Sequence, residues 1–195
     1  MPTIVETPNA ASANSFLTLV EGQAYWDTRL FTDAWDNLPD QSAALILATR
    51  TISAMFAPRR EFVRPNGSMD GYFIIHPTWT GLPATTTQSL PWGRTGMFDR
   101  NGNAIAANVI PQELKDATAE LAGQMGLSDR YVDSDIAAQG ITMVKAGSVA
   151  VEFSDKIGIQ TLKVLPDIVM SLLVPSWLTD MTIESMYPAL FDVIS

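Results

Sequence analysis

The chain of 195 residues contains no cysteine, one histidine, and only 12 lysines and arginines against 21 aspartates and glutamates. The missing cysteine excludes disulfides and thiolate-bound metals. With His76 alone, histidine-based metal clusters are excluded too. The net charge of −9 argues against a broad phosphate-gripping surface, because affinity for a nucleic-acid backbone rests largely on counterion release by basic side chains. Arg59, Arg60 and Arg64 form the one basic cluster and are the candidate nucleic-acid contacts. No apolar run approaches the roughly 20 residues of a membrane span. The greasiest stretch, 168–174, lies between Asp167 and Pro175 and reads as a buried helix. The first basic residue is Arg29, so the amino terminus lacks the basic start of a signal peptide.

Catalytic patterns are missing as well. No glycine-rich phosphate loop precedes a helix, and Gly93-Arg94-Thr95-Gly96 is too short to be one. There is no nucleophile elbow, and no two carboxylates stand at a spacing that pairs them for acid/base work. His76, within Phe73-Ile74-Ile75-His76-Pro77, reads as structural. These absences predict a non-enzymatic chain with no cofactor, no metal and no membrane contact. The five tryptophans read as core or interface anchors, since base-stacking platforms normally accompany a positive groove.

What is present is a hydrophobic content of 47% and several well-punctuated helices. At this length a folded chain buries about 70% of its unfolded surface, so one domain with a real core is expected. Residues 1–13 read as an arm or surface lead-in. Thr18 and Glu21 make a capping box that opens a helix to about Arg29. Residues 30–39 form a connection whose Phe31 and Trp35 are predicted to pack against the helices. Asp40 caps a second helix that Pro58 ends. Pro111 starts a third, with Leu114, Ala117, Thr118, Leu121 and Met125 on one face, Glu120 largely off it, and Gly126 as its cap. Pro166 opens a last helix that Pro175 closes. Residues 61–108 show no strong periodicity and are predicted to be a long irregular loop, with one Asn-Gly turn at 101–102 joining two short strands. Residues 140–153 predict a β-hairpin turning at Ala146-Gly147. That turn pairs Lys145 with Ser148 and Val144 with Val149, leaving Ile141 and Met143 on the mixed face as candidate subunit-interface residues. The fold class expected is therefore mainly α: a small helical bundle with a β-hairpin, a long irregular loop and an extended C-terminal arm. The division expected is 1–175 as the domain and 176–195 as a docking arm.

Several stretches, taken in order, resemble a known family. They are Ala13-Asn14-Ser15-Phe16, then 21–25 and 44–50, then Leu90-Pro91-Trp92-Gly93-Arg94-Thr95-Gly96-Met97-Phe98-Asp99-Arg100-Asn101-Gly102 running on to 110–117, then 144–149 and Val174-Pro175-Ser176-Trp177-Leu178. Together they are similar to bacteriophage head–tail adaptor (connector) proteins, often labelled DnaT-like single-stranded-DNA-binding. Residues 64–86 look like an insertion against shorter members. The resemblance implies a structural virion protein of the phage neck, made in the host cytoplasm. It implies a homo-oligomeric ring, commonly of twelve copies, between a portal protein and a tail or nozzle protein. Genomic DNA would pass through its channel without specific binding, which suits an acidic lumen. On that reading Trp177, Leu178, Met186, Tyr187, Leu190 and Phe191 are the portal-docking residues. The alternative is a single-stranded-DNA-binding replication factor contacting the strand through Arg59, Arg60 and Arg64.

Overall fold

The computed structural model describes residues 1–63, 71–126, 143–146, 149–152 and 165–185, with the backbone alone at 143–146, 149–152 and 183–185. Five helices are described: α1 (Leu19–Asp27), α2 (Asp33–Asp36), α3 (Gln41–Met55), α4 (Gln112–Met125) and α5 (Asp167–Leu172). None of them is long and apolar enough to cross a membrane. The strands are β1 (Arg60–Val63), β2 (Tyr72–Ile75), β3 (Leu82–Pro83), β4 (Arg94–Thr95), β5 (Met97–Phe98), β6 (Ala104–Ile105), β7 (Met143–Ala146), β8 (Val149–Glu152) and β9 (Thr182–Ser185).

Local chemistry sets the helix ends. The Thr18 hydroxyl accepts from the Glu21 amide at 3.1 Å, and the Glu21 carboxylate accepts from the Thr18 amide at 2.7 Å, closing the capping box. Asp40 accepts from the Ala43 amide at 3.0 Å and starts α3. Pro111 and Gly126 bracket α4. Helices α3 and α4 pack together, with α1, α2 and α5 against α4. The Trp26 ring lies over Gly123 of α4, where any Cβ would strike the indole, and Trp26 donates to the Ala119 carbonyl at 3.1 Å. Trp26 stacks on Trp35 with centroids 6.1 Å apart. Glu120 is buried on this same interface, held by the Tyr25 hydroxyl and by Arg29. Its expected place off the packed face is thus corrected: α1 covers a second side of α4. Phe31, expected to pack, is exposed, and only Trp35 of that pair enters the core. Residues 1–13, expected as an arm or surface lead-in, lie along the body and lead into buried residues. Asn14 ties back to Thr3 and Val5, Asn9 bonds Gly93 and Ala107, and Phe16 and Leu17 are fully buried.

The architecture is mixed α and β, which corrects the expectation of a mainly helical bundle. Most of the β content lies in the predicted irregular loop. It was invisible there because strands of two to four residues cannot show an alternating period, and β1 and β2 have no face that is cleanly buried. A three-stranded antiparallel sheet has the order β1-β2-β9, pairing Phe62 with Phe73 and Ile74 with Ile183. Two further antiparallel pairs, β3–β4 and β5–β6, fall between β2 and β9 in sequence. The Asn101-Gly102 turn joins β5 to β6 as expected, with the Asp99 carboxylate accepting from the Asn101 and Asn103 amides at 2.8 Å.

The described part of the segment after Pro175, residues 176–185, packs into the body rather than extending from it. Val174 and Trp177, on either side of that proline, are both buried. The Thr80 amide donates to the Trp177 carbonyl and the Thr179 amide to the Thr78 carbonyl, each at 2.8 Å. A bridge between Trp79 and Leu178 leads on to the β2–β9 pairing. The 140–153 hairpin exists as β7 and β8, but its register differs: Val144 pairs with Val151 and Ala146 with Val149. Gly147 and Ser148, which lie between the strands in sequence, are outside the described residues. Because each residue's partner moves by two, the same residues still share a face.

Candidate functional site

Two surfaces meet where α3 gives way to β1. The first is the β1–β2 pair. Arg60, Phe62, Phe73 and Ile75 share one face by register. The Phe62 and Phe73 rings lie 5.1 Å apart, and the Arg60 guanidinium sits 4.9 Å from the Phe73 ring centroid. Gly71 lets Phe62 lie flat, since a Cβ there would hit the ring. Phe62 keeps 40% exposure. Just before β1, Arg59 Nη2 donates to His76 Nδ1 at 3.2 Å, and His76 Nε2 donates to the Glu61 carboxylate at 3.2 Å. Both imidazole nitrogens are therefore engaged, and His76 serves to fix Arg59 beside the strands.

The second surface is an open groove of about 990 Å³ at the foot of these strands. Its walls come from the end of α3, from Thr78 and Trp79 after β2, and from the loop 82–94. Behind it runs a chain of rings: Phe56 to Trp79 at 4.9 Å, Trp79 to Trp92 at 5.3 Å, and Trp92 to Trp177 at 4.8 Å. Arg94 closes one wall. It is buried, and donates to the carbonyls of Thr80 at 2.6 Å, Gly81 at 2.8 Å, Pro91 at 3.0 Å and Trp79 at 3.4 Å. Burial pulls its pKa below the ordinary arginine value. Among the described residues no group of three or more His, Cys, Asp or Glu is placed to hold a metal.

The motif at 90–102 is architectural. Trp92 and Met97 are buried, Arg94 ties loop carbonyls together, and Arg100 donates to the carbonyls of Ser171, Leu172 and Leu173 at the end of α5. A cation there also suits the helix terminus. Of the predicted site residues, Arg59 and Arg60 come together with Phe62, Phe73 and His76. Trp177 is fully buried, with its indole N–H on the Phe98 carbonyl at 2.7 Å, and Leu178 is half-buried in the bridge to Trp79. Neither is a free docking anchor. Met143 is placed only as a β7 residue opposite Glu152. Arg64, Ile141, Met186, Tyr187, Leu190 and Phe191 lie outside the described residues.

A family model described as "Putative DnaT-like ssDNA binding protein" matches residues 69–184, more than half of the chain. The chain belongs to this family. No curated protein and no solved structure matches it. Membership of the DnaT-like family corrects the expectation of a head–tail adaptor. The family description names a single-stranded-DNA-binding protein, so the virion ring, the portal and tail partners, and DNA passing without specific binding are all set aside. The charge argument that favoured them summed over the whole chain, whereas phosphate contacts are local. Arg50 and Arg94 line the groove, and Arg59 and Arg60 stand at the β1–β2 pair beside His76 and Phe73.

Sequence reasoning missed the groove and its residues Arg50, Ser53, Trp79 and Arg94. One signal was legible: between Asp70 and Asp99 the chain carries no aspartate or glutamate. That stretch supplies most of the groove wall.

Proposed function

We propose that this chain binds single-stranded DNA as a replication-type factor, acting by binding rather than by catalysis, with the β1–β2 face as its contact surface. The observation that carries the reading is the family match over 69–184, which includes β2, the 78–94 part of the groove wall and β9. The geometry of the strands supports it. Stacking on exposed aromatic rings is tolerant of sequence, because every base has a π-face, and each stacked base contributes about 1–3 kcal/mol. Arg59 and Arg60 supply cations beside the Phe62–Phe73 pair, as a backbone passing over those rings requires.

Fluorescence anisotropy with a labelled thymidine oligonucleotide, titrated at several salt concentrations, tests this. Each phosphate contact contributes about 0.7 to the slope of log K against log salt for single strands. Arg60→Ala is expected to lower the slope by about that amount, and Phe62→Ala to weaken binding with the slope unchanged. Absence of binding even at about 50 mM salt would sink the reading.

A further inference from the structure

The groove has three features that its packing leaves unused. The first is its charge. Only Arg50 and Arg94 are ionisable among its lining residues, although acidic side chains outnumber basic ones 21 to 12 in the chain. Arg50 is exposed near the end of α3 and has no carboxylate partner among the described residues. Arg94 is 8% exposed and likewise faces no carboxylate. A guanidinium carries five N–H donors, and the four hydrogen bonds of Arg94 leave one on Nη1. Carbonyl dipoles hold this cation in place without cancelling its charge.

The second feature is Trp79. Four of the five indole N–H groups have acceptors: Trp26 on Ala119, Trp35 on Gln23, Trp92 on Val109 and Trp177 on Phe98. The Trp79 indole N–H is buried and has none. Trp79 is 7% exposed and lines the groove. The third feature is Ser53, also in the lining, whose hydroxyl is buried without a partner. Buried polar groups in native proteins are almost always satisfied, so two unpaired groups beside one groove and two uncompensated cations point to a ligand. That ligand is anionic, rich in acceptors, and has an apolar portion to lie along Phe56, Trp79 and Leu90.

We propose that the groove is a nucleotide subsite. It takes one nucleotide of the strand held on β1–β2, with a phosphate toward Arg50 and Arg94 and acceptor atoms of the base or sugar toward the Trp79 N–H and the Ser53 hydroxyl. This rests on the single-stranded-DNA reading. The two surfaces adjoin: the His76 amide donates to the Arg59 carbonyl at 3.2 Å, extending the β1–β2 ladder to within one residue of Pro58 and two of Thr78, both in the groove lining. An acidic peptide would satisfy the arginines, but it lacks the nucleobase edge that the Trp79 donor and the apolar wall favour.

The test uses the full chain, and two readouts separate the subsite from the strand face. In a 15N-correlated spectrum, thymidine monophosphate should shift the Trp79 indole N–H resonance, assigned with Trp79→Phe, and leave the other four in place; inorganic phosphate alone should shift it less. In anisotropy, Arg50→Glu should weaken oligonucleotide binding about tenfold at unchanged melting temperature, and Ser53→Ala by a smaller factor. If Arg60→Glu weakens binding while Arg50→Glu and Ser53→Ala do not, and the Trp79 resonance stays put, the subsite is overturned and the functional reading stands. If the unmodified chain binds no oligonucleotide, both fall. If an oligoglutamate peptide shifts Trp79 and the nucleotide does not, the groove is a peptide site and the proposal is wrong.

Discussion

The helical side and the groove differ in how their arginines and one tryptophan are partnered. On the helical side, around α1 and α4, each described cation meets a carboxylate: Arg29 meets Glu120, and Lys115 meets Glu21. Trp26 and Trp35 there stack within helix packing and spend their N–H groups on the protein. On the strand side, Arg94 is held by carbonyls, Arg50 has no carboxylate, and Trp79 has no acceptor. Charges neutralised inside the fold contribute to stability. Charges left without a counter-ion at a groove mark where an external anion belongs. The contrast explains how a chain of net charge −9 belongs to a single-stranded-DNA-binding family.

The comparison breaks most severely at the ring chain on the strand side. Trp177 is fully buried, 4.8 Å from Trp92, and holds the 175–185 segment to the body through the Phe98 carbonyl. Trp177→Ala removes one of the three indoles of that chain and leaves a cavity, at an expected cost of about 3–5 kcal/mol. Total stability for a domain is about 5–15 kcal/mol, so the urea midpoint should fall by a large fraction. A chain ending at Val174 loses β9 as well and should not fold cooperatively. A truncated chain with an unchanged melting transition would show that 175–185 is an appendage.

A paired substitution sharpens the contrast. Arg29 bonds the buried Glu120 at 3.2 Å and lies over the Trp26 ring at 5.5 Å. Arg29→Ala leaves that carboxylate with Tyr25 and Gln124 alone and should cost about 1–2 kcal/mol, discounted because Arg29 is 40% exposed. Arg50→Ala should change stability by less than about 0.5 kcal/mol while weakening oligonucleotide binding. Thermal melts and anisotropy on both variants check this. The reverse pattern, with Arg50 stabilising and Arg29 neutral, would undo the division of labour.

What was legible in the sequence was local. Thr18 with Glu21, Asp40, Pro111 and Gly126 mark helix ends because a cap is satisfied within a few residues. The hairpin, described at 143–146 and 149–152, was legible for the same reason, but its register was off by two residues. The β1-β2-β9 sheet was not, because β2 and β9 lie more than 100 residues apart in sequence and the pairing leaves no periodic trace. The burial of Trp177 was not legible either: Pro175 ends the helical pattern, and nothing local reveals that Thr78 and Thr80 receive the chain beyond it. The Arg59–Arg60 cluster is visible in the sequence because neighbouring charges need no fold to bring them together. Arg94 and Trp79 do not stand out, because an unpaired group is defined by what fails to surround it in space.

The smallest expected effect concerns acid. Burial pushes the Glu21 carboxyl up, but hydrogen bonds from Lys115 and from the Thr18 amide and hydroxyl outweigh it, so its pKa lies below the ordinary value of 4.5. A carboxylate depressed in the folded state stabilises the fold above its unfolded pKa, and that contribution is lost as pH falls through the folded pKa. The window therefore opens near pH 4.5 and extends below it. Asp99 is depressed too, chiefly by the Asn103 side chain and then by loop amides, and the sign is the same, but it stands at an exposed turn on the strand side. The groove lining holds no carboxylate to protonate. Acid should thus loosen α1 before the groove. Glu21→Gln keeps the shape, loses the charge, and should cost about 0.5 kcal/mol at neutral pH, the value of a solvent-screened pair. The gap between the two chains should then close as the medium is acidified below pH 4.5. Urea midpoints across that range, with amide exchange read separately for α1 and for residues 78–94, decide the matter. If the gap persists below the window, the charge on Glu21 contributes nothing, and the capping box acts through geometry alone.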